Sequence, residues 1–275
     1  MIDYYRRLES RLGYTLLLGG TKHFGWYPPG SERLSMRAAL TLMEDRLGRA
    51  LDLPRGALVL DAGCGRGAVA LRMATAFGLR VEGVDILAGD IRRARRKAAR
   101  RGTPDRTRFQ VMDYRRLHFP DGHFDGAYTM ETLVHAADSA AVLGELCRVL
   151  KPGGRLVLFE YSLAPRRELT TRQRRVFDAI TVESAMHGLP GFVHGRFSAL
   201  LHAAGFRNVA VEDVSERMLP MLRRLAQVFW VPYQLSRLLG MQRRLVNAMA
   251  AVEAYRYRAV WRYNIVTANK PTRPT

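Results

Sequence analysis

Cysteine is nearly absent: the 275 residues include only Cys64 and Cys147. Their separation matches no zinc or redox spacing, which excludes a disulfide-built scaffold, and no metal is expected. A reducing, cytoplasmic setting is the expectation. Long apolar runs are missing too. No stretch approaches the roughly 18 to 20 residues needed to span a bilayer. The first twenty residues carry charges throughout, and "YTLLLGG" is too short for a secretory core. Acidic residues are the third shortage, 25 against 44 lysines and arginines, for a formal charge of +19.

That excess is mostly arginine, gathered in "IRRARRKAARR" (91–101), "PRRELTTRQRR" (165–175) and the stretch 221–245. Such clusters serve a nucleic-acid surface, an anionic membrane face or a phosphorylated substrate, or simply solvate helix faces. No aromatic-interleaved basic groove and no nucleic-acid module accompanies them, so nucleic acid is not an expected partner. Peripheral membrane contact and an anionic acceptor stay as expectations, with Arg166 and Arg167 assigned to a diphosphate or similar group.

What is present is a regular alternation. Residues 1–20 read as an amphipathic helix, detachable enough to suggest a homo-oligomer, followed by the loop "TKHFGWYPPG". Ser31 is the predicted cap of a helix reaching about Leu51. Short apolar strands fit 57–62, 80–85, 108–112, 125–130 and 154–160, with helices at 67–77, 88–101 and 138–150 between them. This series predicts an α/β fold with a parallel, doubly wound sheet. Past Glu160 come a basic helical stretch to about 195, a helix and strand ending near 213, helices over 215–258 and a last strand. The expected division is an N-terminal helical extension with an active-site loop (1–53) and a cofactor domain (54–275). Lid insertions fall near 161–195 and 215–258.

"LVLDAGCGRGAVA" carries the chemistry. Gly63, Cys64 and Gly65 form a turn between a buried strand and a helix, and Asp85 ends the next strand about twenty residues on. The pattern also fits a dinucleotide site, but Asp61 opens the turn. A carboxylate at the pyrophosphate position meets like charge, unfavourable by roughly 1–4 kcal/mol at near-surface dielectric. S-adenosylmethionine has no phosphate and carries an ammonium and a sulfonium, so Asp61 selects it. Asp85 is then the acceptor for the ribose hydroxyls, with Ile86 beside it. Asp113 is placed for the adenine amino group and Tyr114 for the flank of the ring, with Met130 at the fourth strand's end.

"VLDAGCGRG", "VEGVDI", "VMDYRRLHFPDGHFD" and "RVLKPGG" together resemble the class I S-adenosylmethionine-dependent methyltransferases over roughly residues 31–215. The resemblance implies a Rossmann-like seven-stranded sheet with the last strand antiparallel, and methyl transfer by displacement at sulfur.

Acceptor chemistry is read from the strand ends. Glu131, His135, Glu160 and Tyr161 follow the fourth and fifth strands, whose carboxyl ends face the crevice of a doubly wound sheet. Two carboxylates, an imidazole and a phenol suit proton removal or the holding of positive charge. Glu131 and His135 as a structural pair on one helical turn is the competing account. "ETLVHAAD", "RVLKPGG" and "FEYS" look like the sterol and terpenoid C-methyltransferase branch, although the loop departs from the sterol enzymes' fuller aromatic pattern. By that resemblance the acceptor is an electron-rich alkene in a hydrophobic isoprenoid or prenylated molecule of secondary metabolism. Methylation leaves a carbocation, then deprotonation or cyclisation. His23 and Tyr27 are the loop's catalytic candidates, and Trp26 and Tyr14 its substrate-binding ones. O- or N-methylation of a phenol, amine or lipid is the alternative, and nucleic-acid methylation a remoter one.

Overall fold

Val, Leu and Ile runs bounded by glycines become strands, and the stretches between them become helices. The computed structural model describes residues 21, 23–239 and 245–272. In chain order it holds α1 (Met36–Leu51), β1 (Leu58–Ala62), α2 (Ala68–Ala76), β2 (Arg80–Asp85), α3 (Ala88–Arg100), β3 (Thr107–Val111) and β4 (Phe124–Met130). Then follow α4 (Ser139–Val149), β5 (Leu150–Leu163), α5 (Thr171–Glu183), α6 (Phe197–Ala203), β6 (Arg207–Asp213), α7 (Ser215–Leu238), α8 (Val246–Arg256) and β7 (Trp261–Asn269). The predicted helix at 1–20 lies outside the described residues, as does Tyr14.

The strands form one sheet in the order β3-β2-β1-β4-β5-β7-β6. The first five pair in parallel, and β7 runs antiparallel to both β5 and β6. The chain builds outward from β1 to β3, then returns to set β4 on the other side of β1. That reversal opens a crevice at the carboxyl ends of β1 and β4, where ligands of doubly wound sheets bind. β1 and β4 are buried almost throughout, as central strands covered on both faces are.

Three expectations need correction. Ser31 does not cap the first described helix: its hydroxyl donates to the carbonyl of Pro28 at 2.6 Å, while extended Ser35 accepts from the Ala38 N–H. β5 outruns the predicted 154–160 because β7 pairs with it out to Leu163 opposite Trp261. Glu131 and His135 do not share a regular helical turn. Leu133–His135 is a short 3-10 turn, and Glu131 has the left-handed φ of 57°. Among the described residues, no helix is long and apolar enough to cross a membrane, and no three His, Cys, Asp or Glu could hold a metal ion.

Candidate active site

Gly63, Gly65 and Gly67 turn the chain from β1 into α2 with φ values of 92°, 50° and 71°. L side chains seldom adopt these angles, so the glycines are conformational necessities. Gly63 is doubly constrained: a Cβ there would sit 2.7 Å from the side chain of Thr132. Gly63→Ala is therefore expected to displace the turn and lower cofactor affinity by about ten-fold or more, which isothermal calorimetry would read. The N–H groups of Gly63 and Cys64 both donate to the Val84 carbonyl at 2.9 Å. Asp85 braces the turn, accepting from Gly65 at 2.9 Å through one oxygen and from Leu87 at 2.8 Å through the other. A carboxylate oxygen can accept two bonds, so this bracing is compatible with the ribose role.

Asp61 is 4% exposed and faces the same cavity. It caps no helix, since Gly67 occupies the N-cap of α2. Its Oδ2 and the Tyr128 hydroxyl are both buried with no partner in good hydrogen-bond geometry among the described residues, although the two side chains interact. Burial, with the charge of Asp85 adding, outweighs the opposing Tyr128 hydroxyl and pushes the Asp61 pKa up to about 7. A buried, half-satisfied carboxylate is costly unless a cation or donor meets it. The site therefore fits a positively charged cofactor. Cofactor cations favour the ionised form, which is populated above about pH 7. Affinity should rise close to ten-fold, in round terms, from pH 6 to pH 8, and titrations at both values would show it.

The remaining cofactor candidates line the same cavity: Cys64, Ile86, Asp113, Tyr114 and Met130. Tyr114 donates its hydroxyl to the Thr132 carbonyl at 3.0 Å, which fixes its ring at the wall. Asp113 is bound by Arg115, through a backbone N–H at 2.9 Å and the guanidinium at 2.6 Å. Arg115 holds this carboxyl below the usual carboxylate range. Any adenine contact shares the carboxylate with that arginine.

Beyond the glycine turn the cavity, about 500 Å³ in all, becomes apolar. That volume is ample for a drug-sized molecule. Phe24, Tyr161, Phe177, Phe229 and Trp261 bring aromatic rings to it, and Ile180, Met221, Leu222 and Leu225 complete the wall.

Glu131 sits at this junction. It accepts from the Phe24 N–H at 2.7 Å, from the Tyr263 hydroxyl at 2.8 Å and from the Tyr161 hydroxyl. Burial raises its pKa, and these donors oppose the rise. The Phe24 ring meets Tyr161 and Tyr263 edge-on at 6.3 and 6.2 Å. Glu131 thus fastens the loop at residues 21–27 to the strand ends. The Nδ1 of His135 lies 2.9 Å from the Ala185 carbonyl. A carbonyl only accepts, so in the neutral ring Nδ1 carries the proton and Nε2 is the basic nitrogen. His23 also lines the cavity, with Nδ1 2.8 Å from the Phe24 carbonyl and Nε2 3.5 Å from Glu44. Burial alone would lower its pKa, but Glu44, the Phe24 carbonyl and Glu131 outweigh it and the net shift is upward.

Several expected site residues lie elsewhere. Glu160 is fully buried but does not line the cavity, because neighbours on a strand point to opposite faces and Tyr161 faces the cavity. Its Oε1 accepts from the Thr129 hydroxyl and the N–H groups of Thr132 and Leu133, bracing the turn that carries His135. Burial pushes its pKa up to about 8, with Glu131 adding to the rise. Tyr27 is 2% exposed in a separate small core with Leu40 and Met221. Trp26 lies under the Arg46 guanidinium, 5.7 Å from the ring centroid, outside the cavity lining. Arg166, in a 3-10 turn ahead of α5, pairs with Asp178 of that helix at 2.7 Å, and Arg167 with its neighbour Glu168 at 3.7 Å, all exposed. Neither arginine reaches the cavity, so the diphosphate assignment falls.

Part of the apolar wall was legible: Phe24 and Tyr161 at a loop and a strand end, and the stripe at Leu222, Leu225 and Phe229, although such spacing more often means plain packing. Phe177 and Ile180 of α5 were not picked out. Trp261 offered no signal, since its place depends on where β7 inserts.

A family model described as "Methyltransferase domain" matches residues 59–154. The chain is 38% identical over 274 residues to the "S-adenosyl-L-methionine-dependent Diels-Alderase iccD" of Talaromyces variabilis, covering 98% of this chain and 94% of that one. It is 34% identical over 214 residues to the "27-O-demethylrifamycin SV methyltransferase" of Amycolatopsis mediterranei, covering 78% and 76%. Among solved structures it is similar to the "[4+2]-Cyclase SpnF", with TM-score 0.77 and 26% identity over 94% of this chain and 93% of that one.

Proposed function

Because the chain belongs to the class I S-adenosylmethionine-dependent methyltransferases, with S-adenosylmethionine as its cofactor, we propose that this enzyme works on the carbon–carbon double bonds of an extended, apolar natural product. Cycloaddition, closing a ring within a polyene, is the reading we favour. One observation carries it: Glu131, the expected base, is already engaged by three donors, so the aromatic-walled cavity suits a reaction that moves no proton. In such a reaction two σ bonds form at the expense of two π bonds, and no atom is gained or lost. The likeness to a Diels-Alderase along nearly the whole chain supports the same reading.

S-adenosylmethionine supplies a positively charged sulfur and a transferable methyl group. Asp61 and Asp85 are the residues that would hold it. The walls from α5, α7 and α8 would fold the substrate, and Tyr161, Trp261 and Phe24 would pack aromatic rings against its double bonds.

C-methylation of the same double bonds is the second reading, supported by those aromatic faces, which suit a carbocation. O-methylation is favoured only by His135, whose basic Nε2 belongs to a residue of the cavity lining, and by the rifamycin relative. Incubation with methyl-labelled cofactor, a linear polyene and a phenol separates the three. An isomer of the polyene without S-adenosylhomocysteine supports cycloaddition. Labelled product with S-adenosylhomocysteine means methyl transfer and overturns it.

A further inference from the structure

The outer face of α7 has a character that neither fold nor cavity explains. Six of the nine large apolar side chains exposed among the described residues lie in or just after its second half: Val228, Trp230, Val231, Leu235, Leu238 and Leu239. Leu238 is 84% exposed and Leu239 71%. Monomeric surfaces scatter such residues singly, and a cluster marks a contact. The helix faces two ways. Met221, Leu222, Leu225 and Phe229 look into the cavity, while the ridge looks out.

Charge identifies what covers it. From Arg217 to Val252 the sequence has six arginines (217, 223, 224, 237, 243 and 244) and no aspartate or glutamate. Arg223 and Arg237 are exposed beside the ridge. A second copy docking on the same face would bring these arginines against their own equivalents, which is repulsive. An anionic surface attracts them. An apolar ridge with an exposed tryptophan and arginine flanks is the make-up of a helix lying in a membrane interface.

We propose that the second half of α7 docks this enzyme peripherally on anionic lipid, beside the helix turns that wall its apolar cavity. The contact needs no spanning segment and holds whichever reaction the site performs. Part of the arginine excess then serves to draw the chain to phospholipid headgroups while the ridge enters the acyl boundary.

Flotation of the full chain with vesicles tests it, using phosphatidylcholine alone and phosphatidylcholine with about one third phosphatidylglycerol. The expected result is binding to the anionic vesicles only, weakening as salt rises. The variant W230S/L235S/L238S changes only exposed side chains and should bind about ten-fold or more weakly, with cofactor affinity and melting temperature unchanged. No binding of the wild type to anionic vesicles overturns the proposal. So does equal binding by the variant, or a sizing column on which the wild type runs as a dimer and the variant as a monomer.

Discussion

Asp61→Asn is expected to weaken S-adenosylmethionine binding by about two to three orders of magnitude at pH 8. The substitution keeps the side chain's shape and removes only its charge. A pair of opposite charges about 4 Å apart is worth roughly 4 kcal/mol at an effective dielectric near 20. That is close to three decades of affinity, of which part returns through the amide's own hydrogen bonds. Cationic character sets the pattern among ligands. S-adenosylmethionine should lose most, S-adenosylhomocysteine (which keeps only the ammonium) less, and adenosine almost nothing. Wild type and variant should converge as pH falls well below 7, where Asp61 is itself protonated. Calorimetry with the three ligands measures all of this. Equal losses for adenosine and S-adenosylmethionine would mean that Asp61 shapes the turn and does not read charge.

Removing Glu131 should be the most damaging change to the acceptor side. In Glu131→Ala the Phe24 N–H and the hydroxyls of Tyr161 and Tyr263 lose their shared acceptor. A donor left buried costs about 1–3 kcal/mol; Tyr263 is fully buried while Phe24 and Tyr161 are half-buried and cost towards the lower figure, so a loss of roughly 3–5 kcal/mol follows, or a melting point lower by about 10 °C. Relief of the left-handed backbone strain at this position offsets little, because alanine is no more at ease there. Glu131→Gln keeps an acceptor oxygen and should fold. Its loosened grip on Phe24 and Tyr161 lets the cavity wall shift, and misplacement of about 1 Å costs on the order of a hundred-fold in turnover. Cofactor affinity should stay as it was. Differential scanning calorimetry and single-turnover assays check both variants. A Glu131→Ala protein that melts like the wild type would rule out the clamp.

The cofactor half of the site was legible because it is local. Asp61, Gly63 and Gly65 sit within five residues, and strand ends in a βαβ series face one crevice whatever the rest of the chain does. Asp113 shows the limit of this: its position followed from β3, but its capture by Arg115, two residues on, turns on side-chain geometry. The acceptor half was mostly illegible because it is assembled from distant segments. Tyr161 and Trp261 stand one hundred residues apart in sequence, yet their rings lie 6.0 Å from one another. Beside the prolines of their loop Tyr27 looked catalytic and Trp26 substrate-binding, but Met221, Leu40 and Arg46 take them up instead.

Strand and helix order, the glycine turn and the preference for a cationic cofactor were determined by the sequence itself, through periodicity, backbone sterics and the sign of a single charge. Only the tertiary structure decided that the expected antiparallel last strand inserts between β5 and β6, that Glu160 turns inward to brace a loop, and that Glu131 commits its carboxylate to three donors. Those outcomes depend on which side chains meet across the fold. No local pattern encodes the contacts of residues a hundred positions apart, because packing selects them only once the whole chain has closed.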